Sequence, residues 1–132
     1  MNNYFGTIIE ESLDDKSVLK KVKVISTLVE KVNDKHKTPW LKKWTLHKVE
    51  VPEASAEETA AAISHSMDKK HAWYADFRNQ THHYIIFLNK IFFVDRDSQK
   101  QYDAAKDYGL ALGIPTYQVD FHPDVKHWED RY

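Results

Sequence analysis

Asp76, His83 and Asp95 fall within one short stretch, Trp73–Arg96, WYADFRNQTHHYIIFLNKIFFVDR. A carboxylate on a half-buried apolar surface has its pKa raised by desolvation and by any like charge beside it, which suits a general acid or base. Asp76, read as lying across the sheet near Tyr84 and Asp95, is the best such cluster in the chain. The simpler account has both aspartates accepting hydrogen bonds from Tyr74, Tyr84, Arg78 or Arg96 at a sheet rim. Other chemistries lack their residues. The absence of cysteine removes thiol catalysis and cysteine-ligated zinc, Gly6, Gly109 and Gly113 cannot build a phosphate loop, and no serine sits in a glycine-flanked elbow.

Eight histidines make metal binding thinkable, and Asp120, His122 and Asp124 alternate so that an extended backbone would set three ligands on one side. Pro123 and the lack of a fourth ligand at fixed spacing argue against it, so no metal and no cofactor is expected. A second candidate is basic: Lys35, Lys37, Lys42 and Lys43 surround Trp40 and Trp44, a mixture that can hold phosphates and stack bases. The chain has only three arginines and no lysine-glycine-aromatic pattern of an RNA-recognition strand, so a solvated loop with tryptophans reaching back to the core is the better reading.

The elements that must position these groups follow from aromatic and β-branched density. Trp73–Arg78, His82–Leu88 and Ile91–Asp95 read as three strands joined by Asn79, Gln80 and Thr81 and then by Asn89-Lys90. With loops of three and two residues, Trp73 pairs with Phe87, Ala75 with Ile85 and Phe77 with His83, and Phe92 and Val94 face Phe87 and Ile85. One face then holds Trp73, Ala75, Phe77, Ile85, Phe87, Phe92 and Val94. The other holds Tyr74, Asp76, Tyr84, Ile86, Leu88, Ile91, Phe93 and Asp95. A slip of one residue would exchange the sets for a strand.

Upstream, Tyr4–Ser12 reads as a strand. Ser17–Val32 carries apolar residues at helical spacing together with strand-like β-branching, and it divides into a short helix near Asp15–Lys21 and a strand over Val22–Val32, with one long helix as the alternative. Trp44–Val51, with Trp44, Leu46, Val49 and Val51, gives another strand, ended by Pro52. Ser55 and Glu58 have capping-box spacing ahead of a helix with Ala56, Ala60, Ile63 and Met67 on one face. Ser98 and Gln101 repeat that spacing before Tyr102, Ala105, Gly109 and Leu112, and Gly113 with Pro115 stops the helix. Thr116–Tyr132 is a tail, extended or partly irregular. The order resembles a ferredoxin-like βαββαβ antiparallel sheet, extended by a β-hairpin and a C-terminal helix: an α+β fold in a single domain over residues 1–132.

At 132 residues the chain can bury a core without crosslinks. The opening MNNYFGTIIEES has no signal-peptide pattern and no stretch is apolar enough for a membrane span, so a soluble cytoplasmic protein is expected. Lys16–Lys43 holds nine lysines against Glu30 and Asp34. This third carries +7 of a net charge of −1, leaving −8 elsewhere and one side basic. The reading that best fits is a non-catalytic binding or self-association module. It would use Tyr74, Asp76, Tyr84, Ile86, Ile91, Phe93 and Asp95 as an interface for a homodimer or for a small apolar or aromatic ligand. The alternatives are a small enzyme using Asp76, Asp95 or His83 on that face, and a weak nucleic-acid binder through Lys35–Lys43.

Overall fold

A computed structural model describes residues 2–33, 38–115 and 118–119. Six strands, β1 (Tyr4–Ile9), β2 (Lys23–Lys31), β3 (Lys43–Val51), β4 (Ala75–Arg78), β5 (His82–Phe87) and β6 (Lys90–Asp95), form one sheet in the order β2-β3-β1-β4-β5-β6, and every neighbouring pair is antiparallel. Two α-helices, α1 (Ala56–Ser66) and α2 (Gln99–Ala111), complete an α+β architecture. Ser17–Val32 divides between a 3-10 turn at Lys16–Lys21 and β2, so the single long helix is excluded. No helix among the described residues is long and apolar enough to cross a membrane. Expectations for most of the 116–132 tail and for Lys35 and Lys37 lie outside the described residues.

The first hairpin departs from the expected register by one residue. Ala75 pairs with Ile86, Phe77 with Tyr84 and Arg78 with His83. The cause is Asn79: its Oδ1 accepts from the Thr81 and His82 amides and from the Thr81 hydroxyl, while its own amide donates to the His82 carbonyl. This side-chain-closed turn shortens the loop to Gln80-Thr81. The second hairpin turns at Leu88-Asn89, with Asn89 at φ 56°, and pairs Phe87 with Lys90. That is a shift of two residues, which preserves the faces. The net effect is that β4 exchanges its sides relative to β5 and β6. Asn79→Ala removes the Asx turn and also the bond from Nδ2 to the Asn2 carbonyl. It should lower stability by about 1–2 kcal/mol in urea melts, the scale of a lost buried polar anchor.

Both faces of the sheet are covered. On one, Ala56, Ala60, Ile63 and Met67 of the α1 stripe pack with Tyr4, Ile8, Val49, Val51, Ala75, Phe77, Tyr84 and Ile86. Tyr4, Phe77 and Tyr84 meet with ring centroids 5.2–5.6 Å apart. On the other, Tyr102, Ala105 and Ile114 in and after α2 pack with Ile85, Phe87 and Val94. The Ser55 capping box is not made, because Ser55 ends a 3-10 turn at ψ 6° and its hydroxyl donates to the Pro52 carbonyl instead. At α2, the Ser98 hydroxyl does accept from the Gln101 amide. Its stop is a Schellman arrangement: Gly113 at φ 91° lets its amide reach the Leu110 carbonyl and the Ile114 amide reach that of Gly109. Leu112, expected on the buried stripe, is exposed at this cap.

Candidate functional site

The register change redistributes the residues expected to form one interface. Tyr84 and Ile86 lie in the core under α1, with Ile91 packed beside them. Phe93 shares that side but is 52% exposed at the sheet edge, its ring stacked on His82 at 4.6 Å. Asp95 is exposed and holds the loop into α2, accepting from the Asp97 amide. Tyr74 packs against the opposite cluster, under α2. Asp76 and His83, which face away from α1, come together there: His83 Nε2 lies 2.7 Å from Asp76 Oδ2, and both side chains are at most 1% exposed. The seven residues therefore do not share a face.

His83 is held between two partners. Its Nδ1 lies 3.1 Å from the Tyr102 hydroxyl, which is also hydrogen-bonded to Arg96. Arg96 in turn donates to the Asn79 carbonyl. Burial pushes the His83 pKa down against the opposing pull of the Asp76 hydrogen bond and charge, and burial also raises the Tyr102 hydroxyl to about 12. The consistent protonation is a one-way chain: Arg96 donates to Tyr102, Tyr102 donates to His83 Nδ1, and neutral His83 donates from Nε2 to Asp76. A histidine neutral in the folded chain takes up a proton on unfolding below its ordinary pKa of about 6.5, so its contribution to stability is present above that pH and is lost as pH falls. Urea midpoints measured from about pH 7.5 to 5.5 should fall for the native protein and fall less for His83→Gln.

A second constellation, assembled from three loops, was not legible as a site in the sequence. Thr38, Trp40 and Trp44, then His71, Ala72 and Trp73, then Leu112–Pro115 with Gln118 enclose a cavity of about 190 Å³ at the C-terminal end of α2. Trp44 is buried, its indole donating to Thr38 Oγ1 at 2.9 Å, so it does reach back to the core as expected. Its ring packs on Trp73 at 5.5 Å. Trp40 is 46% exposed, stacks on His71 at 3.7 Å with 13° between planes, and stands edge-on to Trp73 at 6.5 Å.

Asp68 lies behind this wall. Burial opposes its ionisation, but the Lys70 amide, His71 and the Trp73 indole outweigh it and hold the carboxyl below its usual range. His71 Nδ1 is 2.7 Å from that carboxylate, which fixes the proton there and leaves Nε2 as the acceptor nitrogen in the neutral ring. A cavity of this lining can take a flat apolar ring, and the imidazole offers one polar contact at its wall.

Lys42 and Lys43 are exposed nearby, while the tryptophans of that segment pack on His71 and Trp73. Among the described residues no group of three histidine or acidic side chains is placed to hold a metal ion, and Asp120, His122 and Asp124 lie outside them. No protein-family model matches the chain, and neither curated proteins nor solved structures provide a match.

Proposed function

We propose that this chain is a single-domain, non-catalytic binding module of ferredoxin-like character whose ligand is a small single-ring aromatic molecule seated among Trp40, Trp73 and His71. The observation that carries the reading is the half-exposed Trp40 ring, held flat against His71 at the mouth of a cavity of about 190 Å³ whose other walls are Trp44, Trp73 and Ile114. Size narrows the class. A cavity of roughly 150 Å³ accommodates benzene, so by size this half-open, partly polar one suits one substituted ring rather than a nucleotide or a fused cofactor. An O–H or N–H on the ring would find His71 Nε2 as its acceptor. The ferredoxin-like description is supported by β1–β4, whose order β4-β1-β3-β2 and antiparallel pairing suit a βαββαβ unit, with β5, β6 and α2 added.

What weighs against the catalytic alternative is burial: Asp76 and His83 are closed under α2, and Asp95 is on the other side of the sheet. A homodimer through the meander would have Phe93, about half exposed, as its main apolar anchor, since Tyr84 and Ile86 are already in the core.

Intrinsic fluorescence titrated with phenol, benzamide and benzoate tests the proposal. At least one should quench saturably and raise the melting temperature. Trp40→Ala should weaken that ligand by about tenfold, the worth of one aromatic stacking partner, with little change in the melting temperature of the free protein. Saturable binding indifferent to Trp40→Ala, or no binding by any of the three at millimolar concentration, would contradict it.

A further inference from the structure

Among the described residues, β2 is nine residues long and stands at the end of the sheet, with β3 as its one neighbouring strand. Val24, Ile25, Leu28 and Val29 are 41–57% exposed. Register with β3 places Val24 and Val29 on one face, and Leu28 beside Leu46 on the other. An edge with aliphatic side chains on both faces and a full row of backbone donors and acceptors is a template for another strand. The bulge between Val24 and Ser26 is its one irregularity, and no proline interrupts it.

Charge selects the occupant. Lys20, Lys21 and Lys23 are exposed at one end of β2, and Lys31, Lys42 and Lys43 at the other. A second copy of this chain fits poorly. Two-fold symmetric pairing is antiparallel and requires some residue to face its own copy. Centred on Thr27, it sets Lys23 against Lys31 and Val24 against Glu30. Shifting the centre to Ser26 or Leu28 moves a lysine against an aliphatic residue and still brings the two lysine clusters together.

We infer that the β2 edge accepts, by strand addition, an extended segment of another protein in which alternating β-branched residues are flanked at both ends by acidic ones. Backbone hydrogen bonds along β2 supply affinity, the aliphatic shelves on both faces supply the register, and the lysine clusters select the flanks. The site is separate from the aromatic cavity, and neither proposal depends on the other.

The probe is a fluorescent peptide of alternating valine and threonine with two glutamates at each end, compared at low salt with the same peptide carrying lysines instead. Fluorescence anisotropy should show the acidic peptide binding at least about tenfold more tightly, a preference that weakens as salt is raised. The double variant Leu28→Lys with Val29→Lys alters side chains that are more than half exposed, so it should keep the native melting temperature while losing the peptide. Lys23→Glu with Lys31→Glu should narrow the preference for the acidic peptide, since Lys20, Lys21, Lys42 and Lys43 remain. Equal affinity for both peptides, no binding at millimolar concentration, or a dimer in light scattering that Leu28→Lys dissociates would each overturn the inference, the last by making a second copy the occupant.

Discussion

Asp76→Ala should destabilise the fold by about 3 kcal/mol, the scale of losing a hydrogen bond to a charged group and leaving the buried donor opposite it unpaired. The side chain is 1% exposed and receives His83 Nε2 at 2.7 Å, so alanine leaves that N–H without its acceptor inside the α2 face. The effect should extend along the chain of donors. Without the carboxylate the His83 ring is held from one side only, by the Tyr102 hydroxyl 3.1 Å from Nδ1. Asp76→Asn retains shape and one acceptor oxygen and should cost less, about 1–3 kcal/mol. Equilibrium urea denaturation of the two variants checks both the size and the order. Loss below about 1 kcal/mol for alanine would show that the pair is not the buried anchor described here.

Gly6→Ala should be comparably severe, above about 3 kcal/mol or enough to prevent folding, at the upper end of overpacking penalties. The reason is close backbone approach and not a special φ. A Cβ at Gly6 would lie 1.9 Å from the Asp76 carbonyl oxygen and 2.5 Å from the Phe77 Cα, main-chain atoms of the neighbouring strand that no side-chain rotation can move. β1 and β4 would have to separate, and with them the register that brings Asp76 under α2. Thermal melts of the purified variant, or its partition into the insoluble fraction, provide the check. A variant folding with native stability would contradict the close β1–β4 approach.

The parts of this fold that were legible in the sequence are those governed by local periodicity. The α1 stripe of Ala56, Ala60, Ile63 and Met67, the strand density of the meander and the Gly113 stop are all written within a few residues. Register was not, because it turned on one side chain. Asn79 closes its own turn, and that local hydrogen bonding shifts the pairing of β4 by a single residue. With the shorter loop Asp76 faces Ile85, which makes His83 its diagonal neighbour on the same face, so the same slip that dispersed the expected interface also concealed the relay. The cavity was hidden for a different reason. Its walls come from residues near 40, 72 and 114, and no spacing rule links three loops that meet only once the sheet and α2 have closed. Three tryptophans close to turns, where aromatic residues are less expected than in strands, were the available signal.

The central claim is that a single aromatic ring binds beside Trp40. It is tested most directly by recording amide and indole N–H resonances of the isotope-labelled protein during titration with the tightest of phenol, benzamide and benzoate. The account predicts saturable shifts in the Trp40 and Trp73 indoles and in the His71 amide, with His83, Phe93 and the β2 amides unmoved. Shifts centred on Phe93 and β6, or on His83 and Tyr102 beneath α2, would place binding elsewhere and contradict it.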